Sequence, residues 1–311
     1  MTDAAHAPID PDTYVQMRDC IMRVAWCLDR GDSDGVRQCF TPDGVVTTAD
    51  GTRFEGASGV HRFAAQAARN PAFRGRQHHV TPLFAEQSAS GPIWTSYYQL
   101  LRFDAAARAP EILSLGYYRD VFAVHEGQVL IASRMLLRWN AELAPGPATS
   151  PAPARIAGPT KVAGDGPPFE DRNGMEALMH EYAVALDSGD LLRMTAVFAP
   201  GGVLNSGGLG RLEAPLGLQR FLATNTRNPS FGGRQHRIFP MIYEQRETGW
   251  RAFSYWKVET WAAGALPEVV AIGYYEDEFV RHRGRWLIGT KTIRRWNSET
   301  APMVTSWPEP A

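Results

Sequence analysis

Cysteine is nearly missing from this chain: Cys20, Cys27 and Cys39 are the only three, all close to the start, and none forms a CxxC pair. That excludes a disulfide framework and a thiolate metal site, and leaves the three as small apolar side chains for a core. Long apolar runs are missing as well. No segment approaches the roughly 20 consecutive apolar residues of a membrane-spanning helix. The opening Met1-Thr2-Asp3-Ala4-Ala5-His6 has no basic region leading into an apolar one, so a cytoplasmic location is the expectation. Charge of one sign is missing too. A formal net charge of -1 without single-sign runs removes the electrostatic footprint of a nucleic-acid or membrane-surface binder. The expected partner is a hydrophobic small-molecule substrate. The eight histidines are scattered, with no HxH or HxxxH cluster, so no metal is expected. No GxGxxG, P-loop or GxSxG elbow occurs. No cofactor is expected, and any chemistry must be carried by side chains alone.

What is present is a sentence written twice. Asn70-Pro71-Ala72-Phe73-Arg74-Gly75-Arg76-Gln77-His78-His79 returns, at an offset of 158, as Asn228-Pro229-Ser230-Phe231-Gly232-Gly233-Arg234-Gln235-His236-Arg237. Leu28-Asp29-Arg30-Gly31-Asp32 answers Leu186-Asp187-Ser188-Gly189-Asp190 at the same offset. Gly116-Tyr117-Tyr118 answers Gly273-Tyr274-Tyr275, and Arg138-Trp139-Asn140 answers Arg295-Trp296-Asn297, at 157. An offset that slips by a single residue leaves no room for an inserted element, so each copy is an internal control on the other. The domains expected are 1–142 and 170–311. Between them, 143–169 is rich in Pro, Ala and Gly and reads as a semi-extended linker, long enough to let the copies pack as an intrachain pseudo-dimer. Such a chain can be a monomer or a homo-oligomer.

Within a copy, Tyr14, Met17, Ile21, Val24, Ala25 and Leu28 recur at three- and four-residue steps, the stripe of an amphipathic helix that ends near Gly31. Met175, Leu178, Met179, Tyr182, Ala183 and Leu186 repeat it. A short second helix runs into Phe40-Thr41-Pro42-Asp43-Gly44, read as a turn into the strand Val45-Val46-Thr47-Thr48. A third helix, over 57–69 or 215–227, stops at the Asn-Pro pair. Strands are expected at 77–84, 93–103, 113–124 and 129–139. Helices first and strands afterwards, without βαβ alternation, define an α+β fold.

The order of LDxGD helix, FxPxG segment, third helix and GRQH opening a long meander resembles the SnoaL-like group of the nuclear transport factor 2-like superfamily. The resemblance covers residues 12–142 and 170–302. It implies two tandem cone-shaped barrels, each a curved, mostly antiparallel sheet wrapped around about three helices, with a deep apolar pocket. It implies cofactor-independent chemistry of lyase or isomerase type. Related folds also include polyketide cyclases and non-catalytic binding or assembly modules, and fold alone does not choose among them.

Asp29 and Asp187 sit in the last turn of their helices, where a carboxylate faces the negative end of the helix dipole at a cost of up to about 1 kcal/mol. That is a local rule broken twice. Strand alternation turns His78 and His236 inward and His79 outward. In scytalone dehydratase and hexachlorocyclohexane dehydrochlorinase, which these motifs resemble, an Asp at this helix end orients a His at this strand position and the His removes a proton. The resemblance thus implies catalytic roles for Asp29, His78, Asp187 and His236. An imidazole suits that role at neutral pH, with a carboxylate fixing its tautomer. The other reading is a capping Asp and a satisfied core His. The resemblance fails on the next strand, where a second His would be expected and Tyr98 or Trp256 stands instead. Tyr98 can still donate to a developing oxyanion, whereas Trp256 cannot act as an acid. Arg76 and Arg234 share the His face and can bind an anionic substrate group. Trp26, Tyr117, Tyr182, Tyr255 and Trp256 complete the expected substrate contacts. The function expected is a dehydratase or a retro-aldol, deformylating lyase, or an isomerase, acting on an aromatic or polycyclic oxygenated compound such as a lignin-derived diaryl.

Overall fold

A computed structural model describes residues 9–104, 106–107, 109–138, 166–227, 233–261 and 266–297, without the side chains of 83 and 84. Trp139, the linker residues 143–165 and the segment 228–232 lie outside the described residues. The chain divides into two compact units, Met1–Ala105 with Glu111–Gly164 and Asn297–Ala311, and Ala106–Pro110 with Asp165–Trp296.

The first unit starts with α1, Pro11–Arg30, whose Asp10 N-cap accepts hydrogen bonds from the Asp12 and Thr13 amides. The helix stops where Gly31 adopts φ 71°, a left-handed conformation that favours glycine. Asp32 then caps α2, Ser33–Gln38, by accepting from the Gly35 amide. In copy two, α4 (Phe169–Ser188) ends at Gly189 with φ 72°, and Asp190 caps α5 (Leu191–Ala196). The LDxGD motif is therefore legible letter by letter. Leu28 and Leu186 enter the core, Gly31 and Gly189 break the helix, and Asp32 and Asp190 start the next one.

The strands of copy one are β1 (Phe40–Thr47), β2 (Arg53–Glu55), β3 (Arg76–Ser88), β4 (Gly91–Arg102), β5 (Glu111–His125) and β6 (Gln128–Arg138), with α3 (Gly56–Arg69) after β2. They form one six-stranded sheet in the order β2-β1-β6-β5-β4-β3, antiparallel except where β1 runs parallel to β6. Copy two places β7 (Phe198–Ser206), β8 (Gly210–Glu213), α6 (Leu216–Thr226), β9 (Arg234–Ile238), β10 (Ile242–Arg246), β11 (Gly249–Thr260), β12 (Glu268–His282) and β13 (Arg285–Arg295) in the same arrangement. Each unit is thus the expected α+β fold with a mostly antiparallel sheet.

One local expectation is corrected. Phe40-Thr41-Pro42-Asp43-Gly44 is not a turn before the strand. It belongs to β1, and the register with β6 slips between Phe40 and Val45, so Pro and Gly are absorbed in a bulge. In copy one Pro82 sits at a register shift inside β3, but the equivalent Pro240 falls between β9 and β10. A residue without an N–H either bulges a strand or ends it.

The core of copy two is tightly knit, with Met175, Met179, Tyr182, Leu186, Leu218, Phe221, Trp256, Val258 and Tyr275 in one buried cluster. Each sheet also carries one buried ion pair at the same register. Arg134 donates to both carboxylate oxygens of Asp120 at 2.7 Å, and Lys291 reaches those of Asp277 at 2.8 and 3.0 Å. Burial disfavours the Arg134 cation and Asp120 more than offsets it. In copy two burial prevails on both sides, raising Asp277 and lowering Lys291 from their ordinary values. All three cysteines are buried and free, and burial pushes the Cys27 thiol up to about 12.

Candidate active site

The GRQH segment enters β3 through Gly75, with φ 73°, and enters β9 through Gly233, with φ 65°. A Cβ at Gly233 would lie 2.4 Å from the Trp261 carbonyl oxygen, so the turn requires glycine. Three residues on, His78 lies against the end of α1. Its backbone amide donates to Asp29 Oδ2 at 2.7 Å, and its Nδ1 lies 2.5 Å from Asp29 Oδ1. In copy two His236 and Asp187 meet at the same two distances, 2.7 and 2.5 Å. With Nδ1 held by the carboxylate, Nε2 of each imidazole is left as the atom that can take a proton.

The arginines bond to the helix ends. Arg76 Nη2 donates to the Leu28 carbonyl at the end of α1, Nη1 donates to the Ala67 carbonyl of α3 at 2.6 Å, and Nε lies 3.7 Å from Asp29 Oδ1. Arg234 repeats this with Leu186 O at 2.5 Å, Asn225 O at 3.2 Å and Asp187 at 3.6 Å. The last carbonyls of a helix have no partner within it. One guanidinium satisfies such carbonyls and brings positive charge to the negative helix end, which lets a carboxylate stay there. Arg76 also lines the cavity beside His78, so these bonds to the scaffold account for its Nη atoms and do not test the expected contact with an anionic group. The dipole rule broken by Asp29 and Asp187 is offset by this neighbour.

The copies differ in what surrounds the dyad. In copy one a cavity of about 570 Å³ opens beside it, lined by His78, Arg76, Tyr98, Ser114, Tyr118, Arg134 and Arg138 together with an apolar wall that includes Leu28, Phe63, Phe73, Leu100 and Leu136. Tyr98 stacks on Tyr118 with centroids 4.5 Å apart, and its Oη lies 3.3 Å from Ser114 Oγ. Gly116 makes this possible, since a Cβ there would lie 2.7 Å from the Tyr98 ring. In copy two Trp256 occupies the Tyr98 position, stacks on Tyr275 at 5.7 Å and crosses Gly273, where a Cβ would lie 2.2 Å from the indole. The GYY motif is thus a glycine over which an aromatic lies and a tyrosine on which it stacks. Tyr118, Tyr182 and Tyr275 are all raised above the ordinary phenol value, first by burial, and remain neutral donors.

Three expected substrate contacts, Tyr117, Tyr255 and Trp26, lie away from the faces that carry Tyr98 and Trp256 or away from the cavity. Tyr117 pairs with Tyr97, and Tyr255 with Tyr274, on the sheet faces opposite to Tyr98 and Trp256. Strand alternation forces this once Tyr118 and Tyr275 face inward. Tyr255 packs against Trp296, which is fully buried. Trp26 is half-buried under Arg30, 5.5 Å away, and does not line the cavity. Tyr182 and Trp256 are buried in the copy-two core. His79 does face away from His78, but it is buried and bonded to Gln77 at 2.6 Å rather than solvated. Ser114, Tyr118, Arg134 and Arg138 escaped the sequence reading. Ser114, Gly116 and Tyr118 alternate along β5, and that period was the available signal.

The chain matches the SnoaL-like domain family over residues 12–135 and again over 167–292. Fold and site thus define two SnoaL-like domains in tandem, and the protein belongs to the SnoaL-like family. No curated protein matches it. Among solved structures it is similar to a putative scytalone dehydratase from Novosphingobium aromaticivorans, at 15% identity over 45% of this chain and 100% of that one, TM-score 0.35. It is also similar to ActVI-ORFA from Streptomyces coelicolor, at 23% identity over 40% and 93%, TM-score 0.37. A third, a Nostoc punctiforme protein of unknown function with a cystatin-like fold, shares 18% over 41% and 92%, TM-score 0.37. Among the described residues no helix is long and apolar enough to cross a membrane.

Proposed function

We propose that the chain is a cofactor-independent lyase or isomerase whose active site is the first copy, acting on a hydrophobic, oxygenated aromatic or polycyclic small molecule. The observation that carries this reading is the Asp29–His78 pair, 2.5 Å apart, with His78 lining a 570 Å³ cavity. A buried carboxylate that holds Nδ1 orients the ring, selects the tautomer with a free Nε2, and stabilises the imidazolium as it forms. His78 Nε2 removes a proton from carbon or hydroxyl. The Tyr98 phenol, supported by Ser114, donates to the oxygen on which charge develops. The apolar wall takes the ring system of the substrate and keeps water from the base. Dehydration uses this set, and so does release of formaldehyde from a diaryl 1,3-diol in which the base takes the primary O–H proton, the C–C bond electrons form the new C=C bond, and the benzylic hydroxyl leaves as water with a proton from the acid.

Turnover of a panel of aryl diols and ketosteroid-like substrates, followed for wild type, His78→Ala and His236→Ala, tests the reading. Loss of His78 is expected to lower kcat by about 10²–10⁴-fold, the usual share of a general base, and loss of His236 to leave it unchanged. Full turnover in His78→Ala sinks the proposed base. Saturable binding of these compounds by wild type without any turnover favours instead a small-molecule binding module, because the same cavity would then serve as a receptor.

A further inference from the structure

The walls of the cavity beside His78 carry charge of one sign. Arg76, Arg134 and Arg138 line it, and among the described residues no Asp or Glu does. Two of these cations are offset from behind, Arg76 by Asp29 and Arg134 by Asp120. Arg138, exposed at the end of β6, makes no ion pair among the described residues. A largely apolar cavity with an uncompensated cation in its wall favours an anionic occupant. Arg134 adds a specific donor. Its side chain is 3% exposed and that of Asp120 is sealed at 0%. Nε and Nη2 of Arg134 donate to the two carboxylate oxygens, a fork that uses one edge of the guanidinium and leaves Nη1 out. That nitrogen makes no hydrogen bond among the described residues, yet it is not one of the partnerless polar atoms enclosed by the fold. Since Arg134 lines the cavity, its spare donor opens onto it. The guanidinium stands 4.5 Å over the ring of Tyr118, on which Tyr98 stacks, and is held there.

The other copy is the control. Asp277 stands in the place of Asp120 and Lys291 in that of Arg134, at the same strand register. Lys291 Nζ reaches both oxygens of Asp277 and, at 3.3 Å, Met179 Sδ, and both members of the pair are wholly buried. An ammonium has three protons, and all three are taken. A lysine is therefore enough to close the buried pair of this sheet. The arginine of copy one closes it and keeps a donor besides, in the copy whose dyad has a cavity beside it. Arg134, Leu136 and Arg138 alternate along one face of β6, so apolar surface separates a deep donor from a cation at the strand end.

We infer that the cavity of copy one takes an aromatic carboxylate, with Arg134 Nη1 donating to the carboxylate and Arg138 supplying the charge that draws it in. This rests on the reading of the cavity as the substrate site and adds the group by which a substrate is recognised there. The uncompensated charge of the wall selects a carboxylate over a neutral carbonyl. The small number of open donors selects it over a phosphate, since a tetrahedral dianion takes several. Leu100 and Leu136 belong to the wall that receives the rings. Arg134 then determines specificity and moves no proton.

Isothermal titration of the full chain at neutral pH with biphenyl-4-carboxylate and with biphenyl-4-carboxamide tests this without turnover. The acid is expected to bind at least about tenfold more tightly than the amide, the usual share of a charge-assisted hydrogen bond. Arg134→Lys carries the residue that copy two already accommodates, keeps a partner for Asp120 and removes the spare donor, and is expected to lose most of that preference. Arg134→Met/Asp120→Asn removes the donor without stranding an acid, and is expected to lose it as well, which keeps the test open should the lysine variant not fold. Arg138→Gln, at an exposed position, is expected to weaken the acid by only about two- to fivefold and to leave the amide unchanged. His78→Ala is expected to keep the preference, which separates recognition from catalysis. Absence of saturable binding of the acid, equal affinity of wild type for acid and amide, or a full preference in the Arg134 variants each overturns the inference. A preference that follows Arg134 in a chain that turns over none of the aryl diols sustains it and overturns only the catalytic reading.

Discussion

The two copies hold the same dyad in different surroundings. Asp29–His78 and Asp187–His236 meet at the same two distances, 2.7 and 2.5 Å, with an arginine Nε 3.7 and 3.6 Å from the carboxylate. Around them, Tyr98 and Val24 in copy one become Trp256 and Tyr182 in copy two. Copy one has a cavity at its histidine, whereas copy two packs Tyr182, Trp256 and Tyr275 into its core. The lesson is that an Asp–His pair can be retained because it closes the fold. The carboxylate, the strand amide and the guanidinium together join the ends of two helices to the sheet.

The comparison can be broken most forcefully at the carboxylates. Asp29→Asn is expected to lower kcat by about 10²–10⁴-fold, since the amide can present the wrong tautomer to His78, and Asp187→Asn is expected to leave turnover intact. Equal losses in steady-state kinetics of the two variants would show two working pockets. Next in size are the buried ion pairs. Lys291→Met strands Asp277 without its partner and is expected to destabilise copy two by about 3–5 kcal/mol, with much of the loss recovered in Lys291→Met/Asp277→Asn. Urea unfolding of both variants measures the difference, and an unaffected single variant would mean that Asp277 is neutral without Lys291.

A smaller effect separates scaffold from site. Arg76→Met and Arg234→Met are each expected to cost about 1–3 kcal/mol of stability, because each leaves helix-end carbonyls without donors. If chemical denaturation shows no change for either, the arginines are free for a ligand after all. The smallest effect sharpens the contrast between the aromatic positions. Tyr98→Phe keeps the stack on Tyr118 and removes only the hydroxyl, so kcat is expected to fall about tenfold with little change in KM. A rise in KM alone would make Tyr98 a wall and not a donor.

Much of this was legible in the chain. The duplication, the helix ending at Gly31, the α+β order and the inward turn of His78 follow from local rules: period, capping and alternation. The local reading also flagged Asp29 as a broken rule, and that residue proved to be held by three groups from one strand segment. Residue type alone does not place Tyr117, Tyr255 and Trp26, whose surroundings are a strand face, Trp296 and Arg30, all set by register and packing. Ser114 and Tyr118 carried a usable period that was not followed.

The sequence by itself determined that one domain occurs twice and which elements each copy contains, because repeats, caps and strand alternation are properties of neighbours along the chain, while the meeting of Asp with His was implied by the resemblance. Only the tertiary structure decided that the arginines serve the helix ends and that the cavity beside His78 is open. Those outcomes depend on which side chains from residues some 50 positions apart fill the same space, as Arg76 and Leu28 do across a separation of 48. Packing at that range leaves no mark in local period.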